Sequence, residues 1–154
     1  MRQLKLTLLF LVINFSGLAL GNLFMNQGPQ SDWYINLNKA SWTPAGWVFG
    51  FSWTTIMVCF SIYLGKLFSN SNFSNKHTIT FIVQFILNVS WNFLFFNQHF
   101  IFLSLLNLIF LIVVIFYFYF DLSNQIKNYK YLLIPYIIWL CIATSLNLYI
   151  FIKN

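Results

Sequence analysis

Five long apolar stretches are separated by connections that are more polar and mostly short. A helix needs about 20 predominantly apolar residues to cross the hydrocarbon core of a bilayer, and each stretch approaches or exceeds that length. Their approximate bounds are 4–25, 46–68, 78–96, 101–122 and 131–152. The stretches lack the apolar–polar alternation of membrane β-barrel strands, and lipid offers backbone groups no other partner. The pattern therefore predicts an all-α membrane protein, a five-transmembrane-helix bundle that forms a single domain over residues 1–154.

The composition supports this class. Hydrophobic residues make up 60% of the chain and charged residues only 6%, whereas soluble domains contain about a quarter charged residues. The net charge of +6 could suggest nucleic-acid binding, but the basic residues are scattered and form no stripe. We therefore expect membrane lipid as a partner and no nucleic acid.

The distribution of basic residues predicts the orientation in the membrane, because Lys and Arg are enriched in cytoplasmic loops. Two of them, Lys39 and Lys153, fall on one side of the five-helix topology. Six fall on the side of the N-terminus: Arg2, Lys5, Lys66, Lys76, Lys127 and Lys130. The protein should be multi-pass, with a cytoplasmic N-terminus and an external C-terminus.

The first apolar stretch allows two interpretations. Arg2 and Lys5 before an apolar run also describe a signal peptide. However, the run is long for a signal peptide, and Gly17 and Gly21 have the four-residue spacing of closely packed membrane helices. We expect the segment to be retained as a span; a mature chain that starts near Asn22 would contradict this.

The connection between the first two stretches, residues 26–45, is unusually long and rich in aromatic residues. Long loops in compact domains are more often functional or disordered, so this segment is a candidate functional element. Thr43 and Pro44 suggest the start of the next helix, with Thr43 as its N-cap. Lys39, the only basic residue of the loop, could meet an acidic group of a ligand or extend to a lipid headgroup.

The central parts of the spans contain no Asp, Glu, Lys, Arg or His. Ion-coupled transporters, proton relays and metal sites usually need such residues inside the membrane. A chain with two acidic residues and two scattered histidines also offers no catalytic triad or carboxylate pair. We therefore expect neither a metal site nor a required cofactor.

The spans instead carry sparse polar and aromatic residues at helical spacing. Amide side chains in contact with lipid are unfavourable, so these stripes should face inward. They comprise Asn14, Gly17 and Gly21; Phe49, Trp53 and Met57; Gln84, Asn88, Trp91 and Phe95; Ser104, Asn107 and Leu111; and Tyr136, Trp139, Ala143 and Asn147.

Two interpretations of these stripes remain open. Gln84, Asn88 and Asn147 could form hydrogen bonds between helices or contact a ligand. Trp33, Trp42 and Trp47 suit anchoring at headgroup depth. The inner indoles, those of Trp53, Trp91 and Trp139, would instead suit stacking on a flat, apolar aromatic ligand.

In sequence the chain resembles the tryptophan-rich sensory or translocator proteins, the TspO/MBR family. The resemblance rests on four ordered sets of residues that together cover essentially the whole chain. The residues that carry it are Trp33-Tyr34, Leu37, Lys39-Ala40, Trp42 and Pro44-Ala45 in the loop; Trp53; Gln84, Asn88 and Trp91; and Pro135-Tyr136, Trp139, Ala143-Thr144 and Leu146-Asn147. Departures from the family pattern, such as Ala40, Ala45, Met57 and Asn107, leave the polarity of a pocket in doubt but not the fold.

The resemblance implies a five-helix bundle, often a homodimer, with a pocket that the first loop closes. It implies binding of porphyrins or other heme-type tetrapyrroles and, in some members, sterols. The loose sterol pattern of Leu146, Tyr149 and Lys153 is weak. The resemblance and the inward stripes together give a candidate ligand-binding set: Trp33, Tyr34, Lys39, Trp42, Phe49, Trp53, Gln84, Asn88, Trp91, Tyr136, Trp139, Ala143 and Asn147.

Three functions remain in competition at this point. The first is a membrane sensor or regulator that binds a tetrapyrrole. The second is an enzyme, because some bacterial members are reported to degrade protoporphyrin IX in light; the resemblance places that role on Trp53 and Trp139. The third is a transporter of porphyrins, sterols or small apolar ligands.

Overall fold

The computed structural model of the protein describes residues 1–70, 74–124 and 126–154. Within them, five helices are long and apolar enough to cross a membrane, which confirms the prediction from the hydrophobic pattern. In chain order the helices are α1 (Arg2–Phe24), α2 (Asp32–Asn36), α3 (Gly46–Ser69), α4 (Asn75–Asn92), α5 (Ile101–Tyr117) and α6 (Ile134–Lys153). The short α2 lies in the connection between the first two spans.

Turns of other helical types extend three of the spans. A π-helical turn, Phe93–Asn97, continues α4, and a second one, Phe118–Leu122, continues α5. A 3-10 helix, Lys127–Leu133, leads into α6. With these turns included, the predicted bounds agree with the structure to within a few residues. Residues 71–73 and 125 of the predicted connections lie outside the described residues.

Small residues allow α1 to approach its neighbours α3 and α4 closely. A Cβ atom at Gly65 would lie 2.9 Å from the backbone nitrogen of Thr7. A Cβ atom at Gly17 would lie 2.7 Å from the Phe85 ring, and one at Gly21 would meet the Asn92 amide. Thus α1 packs closely against α3 and α4 within the bundle.

Buried polar residues join neighbouring helices. Three asparagines each pair with a serine: Asn14 Nδ2 donates to Ser61 Oγ (2.8 Å), Asn107 Nδ2 donates to Ser90 Oγ (2.9 Å), and the Asn147 amide lies 2.9 Å from Ser104 Oγ. These pairs connect α1 with α3, α5 with α4, and α6 with α5. The predicted inward orientation of the polar stripes is therefore confirmed by burial and by pairing.

The outer faces of the spans are apolar. Side chains such as Val12, Ile82, Phe110 and Ile138 are largely exposed outside the bundle. In water such a surface would be unfavourable, whereas in a bilayer it contacts lipid tails. The protein is an integral membrane protein with several membrane-spanning helices.

The predicted N-cap of the second span is wrong, although the predicted start of that span at residue 46 agrees with the structure. Helix α3 begins at Gly46, and its N-cap is Ala45 rather than Thr43. The Thr43 hydroxyl donates to the carbonyl of Ala40 (2.7 Å) and closes a turn inside the loop, so it is not available to the helix. Pro44 accordingly precedes the helix instead of occupying its first turn.

Candidate functional site

The lid segment, residues 26–45, folds over the ends of the bundle helices. Its short helix α2 is capped by Ser31, whose Oγ accepts from the backbone nitrogen of Tyr34 (3.3 Å). Trp33 stacks on the imidazole of His99, with ring centroids 4.0 Å apart and an interplanar angle of 11°. The same indole meets Phe95 edge-on at 5.4 Å. These contacts attach the lid to the loop-side end of α4.

Tyr34 and Lys39 form a second contact of the lid. Tyr34 packs against Phe96 at 5.3 Å, and burial raises the pKa of its hydroxyl, which keeps the group neutral. Lys39 Nζ donates to the carbonyls of Tyr34 (2.7 Å) and Ile35 (2.9 Å). Its charge therefore caps the C-terminal end of α2, where a cation is favourable. Contact between Lys39 and a ligand stays a prediction.

The last part of the lid lies against α6. Trp42 Nε1 donates to Ser145 Oγ (3.3 Å), and its indole meets Tyr149 edge-on at 5.3 Å. The backbone nitrogen of Asn38 donates to Asn154 Oδ1 (3.0 Å), and the Asn38 amide donates to the carbonyl of Lys153 (3.3 Å). We call this contact between Asn38 and residues 153–154 the clasp. The lid is thus held at two points, on α4 and on α6.

Below the lid, Tyr136 connects two of the predicted amide residues. Its hydroxyl accepts from Gln84 Nε2 (2.8 Å) and donates to Asn88 Oδ1 (3.2 Å). Trp53 meets the Tyr136 ring at 6.1 Å. Four candidate residues from three helices therefore lie together, and the amides form the interhelical hydrogen bonds that the sequence left as one of two alternatives.

Trp139 contributes a buried indole whose polar atom has no partner. Its ring meets Phe49 edge-on at 5.1 Å, and its side chain is 4% exposed. Among the described residues, Nε1 forms no hydrogen bond, and the same holds for Gln84 Oε1 and Thr144 Oγ1. Because buried polar atoms are rarely unpaired, such atoms are candidates for contact with a ligand.

Trp91 links the core to the region under the lid. Its indole stacks on Phe95 at 5.1 Å with an interplanar angle of 9°. The Asn147 amide satisfies both of its groups when Oδ1 accepts from Trp91 Nε1 (3.3 Å) and Nδ2 donates to the carbonyl of Ile101 (3.1 Å). The half-buried Ala143 packs against the same core, one turn from Asn147.

An open cleft of about 400 Å³ lies beside the lid. Its lining residues come from the start of the lid and from the end of α4: Met25, Asn26, Gln27, Ser31, Phe96, Asn97 and His99. Asn26 and His99 both have left-handed backbones, with φ of 54° and 57°. Such conformations are unfavourable for residues other than glycine and concentrate at functional or strained positions.

Comparison with known proteins decides the family. A sequence model of the TspO/MBR family matches residues 8–152, which include the lid and all or most of each of the five spans. The chain belongs to the TspO/MBR family.

Relatives in this family share low identity over much of their length. The tryptophan-rich protein TspO of Archaeoglobus fulgidus is 31% identical, over 100% of this chain and 99% of the relative. The protein of the same name from Bacillus cereus is 28% identical, over 79% and 80%. The tryptophan-rich sensory protein of Cereibacter sphaeroides is 27% identical, over 75% and 73%.

Within this TspO/MBR member, several contact residues were not predicted from the sequence. His99, Ser145 and Asn154 all hold the lid, yet none belongs to the motifs. One signal could have found His99, because the short connection 97–100 and the lid lie at the same end of a five-helix bundle. The same signal places the C-terminal end of α6 beside the lid, but it does not identify the partners in the clasp, since these depend on how deep α6 lies relative to the lid.

Proposed function

We propose that the protein binds a tetrapyrrole such as protoporphyrin between its helices and acts as a membrane sensor of that ligand. The observation that carries the proposal is the unpaired donor on Trp139 and the unpaired acceptor on Gln84, inside an aromatic core without charges. A flat macrocycle with ring N–H groups and ring nitrogens offers partners for both atoms. Its faces also suit the indoles of Trp53, Trp91 and Trp139.

The lid gives the ligand a route into the core. The rings of the core pack against one another, so a macrocycle has to displace side chains as it enters. The cleft beside Asn26 and His99 opens next to Phe96, which touches Trp91 edge-on at 5.8 Å. Release of the Trp33–His99 stack exposes this route, and closure of the lid then separates the ligand from water.

Two further features belong to the proposal. The proposed orientation has the N-terminus in the cytoplasm and the lid on the outer face, and the six basic residues at one end of the bundle support it. The apolar faces that lipid covers in a monomer would also suit contact with a second copy, so the proposed form is a homodimer.

Titration with protoporphyrin IX tests the proposal. The protein in neutral detergent should produce a saturable shift of the porphyrin Soret absorbance at micromolar ligand. Trp139→Phe keeps an aromatic ring but removes the indole donor, and should weaken binding roughly 2- to 10-fold, as expected for the loss of one hydrogen bond. The absence of any saturable shift in the unmodified protein would overturn the proposal.

Trp47→Phe is the matched control. Trp47 is 73% exposed, so this substitution removes an indole that lies outside the buried core. Its affinity should equal that of the unmodified protein.

Illumination of the same complexes separates binding from degradation. Bleaching that disappears in Trp53→Phe or Trp139→Phe while binding persists would favour the enzyme, whereas unchanged bleaching indicates photochemistry of the ligand alone.

A further inference from the structure

A second cleft lies at the opposite end of the bundle, far from the lid along the helices. It has a volume of about 400 Å³ and sits where the π-helical turn after α5 meets the 3-10 helix before α6. Its lining residues are Tyr119, Phe120, Ser123, Asn124, Asn128, Lys130 and Tyr131. We propose that this cleft binds the phosphate headgroup of an anionic glycerophospholipid, and this inference is independent of the tetrapyrrole site.

The charge of the cleft is the first argument. Lys130 Nζ lies between two rings, 5.2 Å from the centroid of Tyr119 and 5.6 Å from that of Tyr131. These contacts hold the ammonium group at the cleft. None of the lining residues, all of them described, is acidic. The cleft therefore offers a positioned cation to an anionic group.

The remaining lining groups suit a phosphate ester. The amides of Asn124 and Asn128 line the same cleft and can donate hydrogen bonds to phosphate oxygens. The Ser123 hydroxyl is already engaged, since it donates to the carbonyl of Phe118 (2.6 Å) and pairs with Tyr63 (2.9 Å). Ser123 therefore shapes the wall of the cleft, and the ligand contacts fall to Lys130 and the two amides.

The surface next to the cleft favours a lipid over a soluble phosphate. Phe120 lines the cleft and is 63% exposed. One turn deeper along the helix, Phe116 stacks on it at 5.9 Å, and Val113 is also exposed. This apolar strip continues from the cleft toward the membrane interior, so an acyl chain can follow it while the headgroup occupies the cleft.

The location and the charge of this end agree with that ligand. Six basic residues belong to it by topology, and Lys and Tyr at the end of a span are typical of headgroup depth. Basic pockets between membrane helices on the cytoplasmic side bind anionic headgroups. Among the basic residues whose side chains the structure describes, Lys130 is the one that lines this cleft.

Native mass spectrometry tests the proposal on the full chain in neutral detergent, with dioleoyl-phosphatidylglycerol and dioleoyl-phosphatidylcholine as probes. The protein should retain phosphatidylglycerol in preference to phosphatidylcholine. Lys130→Gln should weaken retention of phosphatidylglycerol about five-fold, the effect of one basic residue near an anionic headgroup. Lys130→Arg should retain most of the binding.

Lys76→Gln is the matched control, because Lys76 is exposed at the same end but does not line the cleft. Equal losses in Lys130→Gln and Lys76→Gln would indicate diffuse attraction and overturn the site. Displacement of the lipid by inorganic phosphate at comparable concentration would overturn the lipid assignment. Asn128→Leu, which leaves all charges in place, should also weaken retention; an unchanged value would count against a built cleft.

Discussion

Tyr136 forms two hydrogen bonds that link α6 to α4. Its hydroxyl stands between Gln84 Nε2 and Asn88 Oδ1, and the side chain is 1% exposed. The sequence predicts that all three residues face inward, because they occupy apolar helices at helical spacing. It does not predict the partners, since helical periodicity fixes the face of a residue but not the depth at which two helices meet.

Removal of this hydroxyl tests its contribution at the scale of one residue. Tyr136→Phe keeps the ring and leaves the Gln84 and Asn88 amide groups without their partner. We expect the free energy of unfolding to fall by about 1–3 kcal/mol, the effect of leaving buried polar groups unsatisfied. Denaturant unfolding in detergent, followed by circular dichroism, measures the change.

Tyr131→Phe is the control for this substitution, because Tyr131 is 56% exposed. It should change stability by no more than about 0.5 kcal/mol. Equal effects of the two substitutions would mean that the hydroxyl of Tyr136 contributes no more than a surface group.

Gly65 sets the distance between α1 and α3. A Cβ atom there would meet Oγ1 of Thr7 and lie 2.9 Å from its backbone nitrogen, so backbone has to move. We expect Gly65→Ala to destabilise the bundle by about 1–3 kcal/mol, as overpacking does. The same unfolding experiment measures this.

Gly50 provides the comparison on the same helix, since a Cβ atom there has nothing within 4 Å. Gly50→Ala should leave stability unchanged or raise it by up to about 1 kcal/mol, because alanine favours the helix. Similar losses in both variants would show that helix contact is not the reason for glycine at position 65.

At the scale of elements, the lid differs most from its prediction. The aromatic composition identifies residues 26–45 as a functional segment, and the resemblance identifies it as a lid. The sequence does not show that the segment contains a helix, because the five residues of α2 are too few for periodicity. Nor does it show that Thr43 closes a turn with Ala40 instead of capping α3, since one hydroxyl can serve either role.

The clasp should control how often the lid opens. Asn38→Ala removes the amide that donates to the carbonyl of Lys153, although the backbone contact with Asn154 remains. We expect faster hydrogen–deuterium exchange of backbone amides in residues 32–42, and no change in the core of α3. Mass spectrometry of peptic fragments measures both.

Asn36 supplies the control, because it is an exposed asparagine at the end of α2 outside the clasp. Asn36→Ala should leave exchange in the lid close to that of the unmodified protein. If Asn38→Ala behaves in the same way, the clasp does not restrain the lid.

At the scale of the whole molecule, the number and bounds of the spans follow from the sequence, because lipid requires long apolar helices. The way the helices meet does not follow from it. Trp53, Trp91 and Trp139 are all predicted to face inward, yet each meets a different ring: Tyr136, Phe95 and Phe49. Their arrangement depends on the rotation and depth of each helix, which a periodic pattern leaves free.

The proposed orientation is tested by labelling the lid. Asn36→Cys, in a chain whose Cys59 and Cys141 are replaced by serine, places one thiol at an exposed lid position. A membrane-impermeant maleimide should react with it from outside intact cells or right-side-out vesicles, because six basic residues lie at the other end. Labelling only after the cytoplasmic side is exposed would show that the lid faces the cytoplasm and that the protein has the opposite orientation.

The three asparagine–serine pairs have a consequence for how the bundle assembles. Each helix can enter the bilayer separately, and the amides of Asn14, Asn107 and Asn147 then lack their serine partners until the neighbouring helix arrives. Sliding one helix by a turn, about 5.4 Å, separates an asparagine from its serine and places it beside an apolar side chain. The pairs at Asn14, Asn107 and Asn147 therefore determine which neighbour a helix packs against and the depth at which the two otherwise apolar helices meet.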